Sequence, residues 1–280
     1  MGLWSAAAAG AEQEILQRGE YLLHAGGCIS CHTDGDAGED GFLAGGLALE
    51  TAFGTFYAPN ITPDPDTGIS TWSDADFIRA LTQGLSPDGR HYYPAFPYTA
   101  YAGMTRDDLL ALKAYLFSLK PARRDRRPHD LPWYVSSRLP LGLWKWLNFQ
   151  PGEFRPDPQQ SAGWNRGAYL VRHLGHCGEC HTPRTWTGGL DRERALAGNP
   201  DGPEGDAVPN ITPDPDTGIG DWSAYDIEYL LETGTLPDGD FVGGTMSRVV
   251  DDGTSHLTDD DRKAIGVYLK ALPPLPSAAR

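Results

Sequence analysis

Cysteine and methionine are scarce in this chain, with four of the first and three of the second among 280 residues. So few cysteines exclude a disulfide-stapled scaffold, and the four stand as two close pairs, Cys28/Cys31 and Cys177/Cys180. Basic residues are also in short supply: 23 Lys and Arg against 38 Asp and Glu leave a formal net charge of −15. That balance excludes nucleic acid as a partner, because its phosphates would be repelled, and favours proteins with basic or mixed surfaces. No stretch reaches the roughly eighteen apolar residues of a membrane-spanning helix. The opening Met1 to Gly10 lacks a charged n-region and most of an apolar h-region, and reads as the remnant of a trimmed or re-engineered N-terminus. Hydrophobic content of 40% is ordinary for a globular protein and supports one large domain or two small ones.

What is present is a duplication. Pro59-Asn-Ile-Thr-Pro-Asp-Pro-Asp-Thr-Gly-Ile69 recurs letter for letter from Pro209 to Ile219, and Trp-Ser follows in both copies at Trp72-Ser73 and Trp222-Ser223. Each copy carries, in order, a helix-like segment, Cys-x-x-Cys-His, the Pro/Asp loop, a middle helix, a methionine and a closing helix. Ser73-x-x-Asp76 and Ser223-x-x-Asp226 predict capping boxes for the middle helices, and Thr105-x-x-Asp108 and Thr258-x-x-Asp261 for the closing ones. Leu109, Leu112, Leu116 and Leu119 line one face of the first closing helix; Ile265, Leu269 and Leu272 line the second; Pro121 and Pro273 stop them. Strand patterns are hard to find. The expected fold is all-α with long loops: a first domain over 1–121, a linker over 122–162 and a second domain over 163–280.

That linker begins with a basic run, Lys120 to Arg127, read as a solvated connector that also complements a helix C-terminus, with partner docking as the other reading. Leu131 to Phe149 is rich in aromatic residues, including Trp133, Trp144 and Trp146. Three readings stand for it: a membrane interface, a bridge between the domains, or packing on a partner subunit.

Cys28-Ile-Ser-Cys31-His32 and Cys177-Gly-Glu-Cys180-His181 have the spacing that lets two thiols add to the vinyl groups of one haem while the next histidine ligates its iron. Zinc would want further Cys or His ligands at matching positions, and a thioredoxin-like motif would want βαβ context; neither is present. Two haem c groups are therefore expected, with His32 and His181 as proximal ligands. A low-spin electron-transfer iron needs a sixth ligand, and a soft thioether raises its potential. Beyond Met1 the methionines are Met104 and Met246, each between the middle and closing helices of its repeat. His24 and His173, four residues before each first cysteine, read as structural or propionate-side residues; His91, His129, His176 and His256 carry no comparable pattern. In the Pro/Asp loop, Asp64, Asp66 and Gly68 do not reproduce a calcium loop. The favoured reading there is a wrap around the haem edge, with Asn60, Trp72, Asn210 and Trp222 donating to propionates or neighbouring backbone.

With these residues on the page, the chain resembles the cytochrome c subunits of bacterial membrane-associated alcohol, gluconate and fructose dehydrogenases. The likeness rests on Arg18-Gly-Glu-Tyr-Leu22, Pro59 to Ile69, Tyr98-Thr-Ala-Tyr-Ala-Gly-Met104, Asn165-Arg-Gly-Ala-Tyr-Leu170, Gly175-His-Cys-Gly-Glu-Cys-His-Thr-Pro183 and Thr254-Ser-His-Leu-Thr258, and spans nearly the whole chain. The resemblance implies tandem class I cytochrome c domains, with His32 and His181 as proximal and Met104 and Met246 as distal ligands. It implies a periplasmic chain, also associated with the outer face of the inner membrane. That chain would pass electrons from a dehydrogenase subunit to a cytochrome, an oxidase or a quinone-linked acceptor. The family's usual members carry three Cys-x-x-Cys-His motifs; this chain has two. The rival class is a di-haem redox enzyme of peroxidase or thiosulfate-oxidising type, which needs an open or unusual sixth position. No cysteine outside the motifs is available to ligate iron, and each haem has a methionine, so the carrier is the leading expectation.

Overall fold

The computed structural model describes residues 2–51, 53–202 and 205–277. Met1, where the trimmed N-terminus and the first domain were read to begin, and Arg280, the outer bound of the second, lie outside the described residues. Helix α1 (Gly2–Ala25), α2 (Cys28–His32), α3 (Asp74–Gln83), the short α4 (Tyr98–Tyr101) and α5 (Arg106–Ser118) build the first half. The linker holds α6 (Trp133–Ser136) and α7 (Leu139–Asn148). The second half repeats the plan with α8 (Ala162–Tyr169), extended by a π-helical turn over Leu170–Leu174, then α9 (Gly178–His181), α10 (Ala224–Thr233), α11 (Gly244–Asp252) and α12 (Asp259–Lys270).

The all-α expectation needs one correction. Strands β1 (Ala48–Thr51) and β2 (Gly54–Tyr57) form an antiparallel hairpin, Ala48 opposite Tyr57, to which Asp130 of the linker adds a reciprocal backbone pair with Thr55 at 2.9 Å each. Four-residue strands are too short for a period-two pattern to show above noise. In the second half the same place holds an isolated bridge between Asn199 and Val208.

The middle helices start as expected: Ser73 and Ser223 accept from the backbone N–H of Asp76 and Asp226, whose carboxylates accept in return. Gly84 and Gly234, both with positive φ, end them. The closing helices differ from expectation. Thr105 and Thr258 cap α5 and α12, but the carboxylates of Asp108 and Asp261 are turned elsewhere. Arg18 on α1 pairs with Asp108 at 2.5 Å, and Arg166 on α8 pairs with Asp261 at 2.6 Å, so each first helix is tied across to its closing helix. The crossings are close. A methyl on Gly19 would lie 2.2 Å from the Ala111 carbonyl oxygen, and one on Gly167 would lie 2.0 Å from that of Ala264. Leu109, Leu112 and Leu116, and Ile265 and Leu269, are buried along these contacts, with Leu119 and Leu272 half-buried at the ends.

The linker straps the first half rather than running free through solvent. Arg123 pairs with Asp66 at 2.8 Å, and Arg124 reaches Asp34 at 2.6 Å and the Gly45 carbonyl at 2.9 Å. Helix α7 turns Lys145 inward, where its ammonium donates to the Gln83 and Gly84 carbonyls, each at 2.7 Å, and so serves the open C-terminus of α3. Burial pulls that ammonium down to about 8. The linker reaches the second half where Trp144 donates to the Thr187 carbonyl at 2.9 Å.

Candidate functional site

Each Cys-x-x-Cys-His segment is a single helical turn fixed by what precedes it. Gly27, with φ 64°, turns the chain out of α1 into α2, and His176, with φ 38°, does the same before α9. All four cysteines are free thiols of intermediate exposure. Burial pushes the Cys28 and Cys177 thiols up to about 12, and raises Cys31 and Cys180 as well. A thiol redox centre would show the opposite shift. These are neutral thiols held side by side.

The two histidines are oriented identically. His32 Nδ1 lies 2.8 Å from the Pro59 carbonyl oxygen, and His181 Nδ1 lies 2.8 Å from that of Pro209. A carbonyl can only accept, so Nδ1 carries the proton in both rings, and Nε2 keeps its lone pair. Burial lowers the pKa of both histidines, which holds them neutral as ligands require. The donor set therefore fits a covalently attached haem: two thiols and one neutral imidazole with its metal-binding nitrogen free. Among the described residues no group of three or more His, Cys, Asp or Glu side chains is arranged to hold a metal ion by itself.

Met104 sits at the α4–α5 junction and is buried, 2% exposed. Met246 instead lies in the first turn of α11 and is half-buried. Both stand between the middle and closing helices, on unlike backbones.

Asn60 and Asn210 are buried at the hubs of the two Pro/Asp loops. The Asn60 amide donates to the Ala122 carbonyl at 2.6 Å and to Thr67 Oγ1 at 2.9 Å, while its oxygen accepts from the Thr62 N–H and hydroxyl. Asn210 repeats this with Leu275, Thr217 and Thr212. Both amide hydrogens are thus spent on the loop and on the segment that follows the closing helix. The Asp64 carboxylate accepts from the Thr67 hydroxyl and from the N–H groups of Thr67 and Asp66, which holds it below the usual carboxylate range. Trp72 and Trp222 are half-buried and pack on the core.

Of the other histidines, His24 Nδ1 lies 2.8 Å from the Asp252 carbonyl and His173 Nδ1 lies 3.0 Å from that of Ala100, so each pins its own half to the other. His24 also stacks on His256 with centroids 3.8 Å apart. Tyr101 and Thr99 complete the junction. Tyr101 donates to the Gly26 carbonyl at 2.6 Å, and its ring meets His176 edge-on at 5.5 Å. Thr99 donates to Glu179, inside the second motif, at 2.6 Å. The two Cys-x-x-Cys-His segments therefore meet at the contact between the halves, which no local pattern could have announced.

Residues 16–120 match the cytochrome c family. The chain is 46% identical to a diheme cytochrome c-type protein of Cereibacter sphaeroides, over 97% of this chain and 93% of the relative. It is 41% identical to the cytochrome c subunit of the quinone alcohol dehydrogenase of Gluconacetobacter polyoxogenes, over 95% of this chain and 58% of that one. It is 38% identical to the fructose dehydrogenase cytochrome subunit of Gluconobacter japonicus, over 95% and 54%. The chain thus spans little more than half the length of these dehydrogenase subunits.

Proposed function

Because the chain belongs to the cytochrome c family and carries two haem c groups, we propose that it transfers single electrons from a periplasmic or membrane-associated dehydrogenase to a respiratory-chain acceptor, with no substrate of its own. The observation that carries this is the matched pair of bonds from His32 to the Pro59 carbonyl and from His181 to the Pro209 carbonyl. Each leaves one imidazole nitrogen free beside two neutral thiols. When bound, each haem supplies an iron that takes up or gives up one electron. The protein's part is to hold that iron and keep water from it.

In this reading the chain is two tandem class I cytochrome c domains, 1–121 and 163–280, joined by the strap over 122–162. Cys28 and Cys31 hold the first haem and Cys177 and Cys180 the second; His32 and His181 are the proximal ligands, Met104 and Met246 the distal ones. Asn60 and Asn210 set the shape of the loops carrying Pro59 and Pro209, and Trp72 and Trp222 offer indole N–H groups toward the propionate side. The donor is a dehydrogenase subunit, as the names of the alcohol and fructose dehydrogenase relatives suggest; the acceptor is a cytochrome, an oxidase or a quinone-linked carrier, all at the periplasmic face of the inner membrane.

A di-haem redox enzyme is the second reading, and one observation gives it a place. Met246 is only half-buried, on a helix of its own, so the second iron is the one whose sixth position could open. Mass spectrometry of the chain made with haem-attachment machinery is expected to show two covalent haems, one lost with Cys28→Ser/Cys31→Ser and the other with Cys177→Ser/Cys180→Ser. Peroxide turnover by the purified protein would favour the enzyme.

A further inference from the structure

Two matching positions of the repeats reach across the boundary, and each lands on the segment that carries the other half's methionine. His24 and His173 stand four residues before the leading cysteine, and Ser30 and Glu179 take the third place in the Cys-x-x-Cys-His turn. From the second half, His173 Nδ1 lies 3.0 Å from the Ala100 carbonyl, and Glu179, held by Arg184 at 2.8 Å, accepts from the Thr99 hydroxyl at 2.6 Å. Both contacts fall on α4, whose turn runs on to Met104: the Gly103 N–H donates to the Ala100 carbonyl at 3.0 Å and the Met104 N–H to the Tyr101 carbonyl at 2.9 Å. The His173 ring also lies against Gly103, where a methyl would meet Nδ1 at 2.0 Å, so glycine is what lets the ring in beside Met104. In return, His24 Nδ1 lies 2.8 Å from the Asp252 carbonyl and the Ser30 hydroxyl donates to the Arg248 carbonyl at 3.4 Å, both on α11, which carries Met246.

Contacts that merely joined two domains would have no reason to choose these segments twice. The methionines sit on unlike backbones, one at the α4–α5 junction and one in the first turn of α11, yet the same repeat positions find both. A thioether stands at the end of a flexible, unbranched side chain, so its bond to an iron depends on the backbone that presents it and on what holds that backbone. On the reading of Met104 and Met246 as distal ligands, we propose that His173 and Glu179 position Met104 for the first haem and that His24 and Ser30 position Met246 for the second. Each half then sets the ligation, and with it the potential, of the haem in the other half. The grip on Met104 is the tighter of the two, because it adds the Gly103 contact and a short bond to a carboxylate.

The test reads the first haem after a change in the second half. In the di-haem protein, Met246→Ala leaves the sulfur-to-iron absorption to Met104 alone. In that background His173→Leu should weaken the remaining band, lower the potential of the first haem, and let added imidazole displace the methionine at roughly tenfold lower concentration, as the loss of about one hydrogen bond would. Thr99→Val, which removes only the hydroxyl that Glu179 accepts from, should act in the same direction and keeps the test open should His173→Leu fail to fold. His173→Asn, whose amide can donate where Nδ1 does, should restore band, potential and imidazole concentration together. His24→Leu should leave this band alone and weaken the one that remains in a Met104→Ala background. A lower melting temperature with band, potential and imidazole concentration unchanged would make these contacts structural and overturn the positioning role. A parent band left whole by Met104→Ala would instead overturn the ligand reading itself, and the positioning role with it.

Discussion

Tyr169 on α8 donates its hydroxyl hydrogen to Asp108 on α5 at 2.6 Å, across the boundary between the halves, and Tyr21 on α1 does the same to Asp261 on α12. Each carboxylate is already paired with an arginine of its own half, so each half completes the other's ion pair. This is why Asp108 and Asp261 do not close the capping boxes their spacing predicts. A hydrogen bond to a buried charged partner contributes about 1.5–3 kcal/mol. Tyr169→Phe should therefore lower stability by about 2 kcal/mol while leaving both haem spectra intact, and calorimetry should show the loss. An unchanged melting temperature would mean that the halves are held by apolar packing alone.

The mirrored pair sets a pH window. Burial lifts the Asp261 carboxyl, but the bonds from Arg166 and Tyr21 outweigh it and hold the group below its ordinary 3.8. Burial and the Asp261 carboxylate push the Tyr21 hydroxyl from 10.0 up to about 12. A depressed acid stabilises the fold above its unfolded pKa, and that contribution is lost as pH falls below 3.8. A raised phenol stabilises it below its own unfolded pKa, with loss as pH climbs from 10.0 through about 12. Unfolding titrations of the parent should weaken at both ends, and Tyr21→Phe should shrink the alkaline loss, and the acid loss less, because Arg166 still holds Asp261.

Asn60 makes four hydrogen bonds in a buried site, two of them to the segments that close the loop. Asn60→Ala strands the Thr62 N–H and leaves the Ala122 carbonyl only the Thr62 hydroxyl at 3.2 Å, and should cost roughly 2 kcal/mol. It should also loosen the Pro59 carbonyl that orients His32, so the haem potential of the first half should shift. A potential that stays fixed as stability falls would restrict Asn60 to a structural role.

How much of this was legible depended on the range of each interaction. The Cys-x-x-Cys-His motifs, the Ser73 and Ser223 caps and the leucine faces of α5 and α12 are local patterns, and local patterns survive in sequence. The β1/β2 hairpin was missed because its strands are too short to alternate visibly. Asp108 and Asp261 were given the wrong partners because their true ones lie on the far half. Nothing local marks Lys145 for burial; only the placement of α3 makes it a buried cap and turns the apolar side of α7 outward. The Pro59 and Pro209 bonds to the histidines were implicit in the repeat, since both loops were copied entire, but nothing in the letters said which atom they serve.

The two methionines proposed as distal ligands stand on unequal backbones, and their removal should be unequal too. A weak sulfur-to-iron absorption at the red edge of the ferric spectrum reports methionine ligation. Met104→Ala and Met246→Ala should each abolish about half of it. Met104 is buried at a fixed junction, so its loss should also lower stability more than that of Met246. A spectrum untouched by either change would hand that site to a histidine such as His91 or His256.

The last prediction concerns the junction of the two motifs. His176 holds φ 38° without being glycine, where the first half uses Gly27 at φ 64°. Such a backbone costs about 1–3 kcal/mol and persists only when its surroundings over-determine it. Here the surroundings are the other motif: the ring packs edge-on against Tyr101, and Tyr101 is bonded to Gly26. The strap over 122–162 lies on the first half, and Tyr101 and His176 join the approaches to the two motifs without it. Electrons entering at one site should therefore redistribute within the molecule faster than between molecules after rapid mixing with a reductant. The two sites should also differ in potential, because Met104 is buried and Met246 half-buried, and exposure is a lever on potential. A redox titration should accordingly need two one-electron components. His176→Gly relieves the backbone while removing the ring between the motifs, so it should leave stability unchanged or raised and slow the internal redistribution. Two kinetically independent centres in the parent would mean that the contact between the motifs is structural only, and that one chain carries two separate carriers.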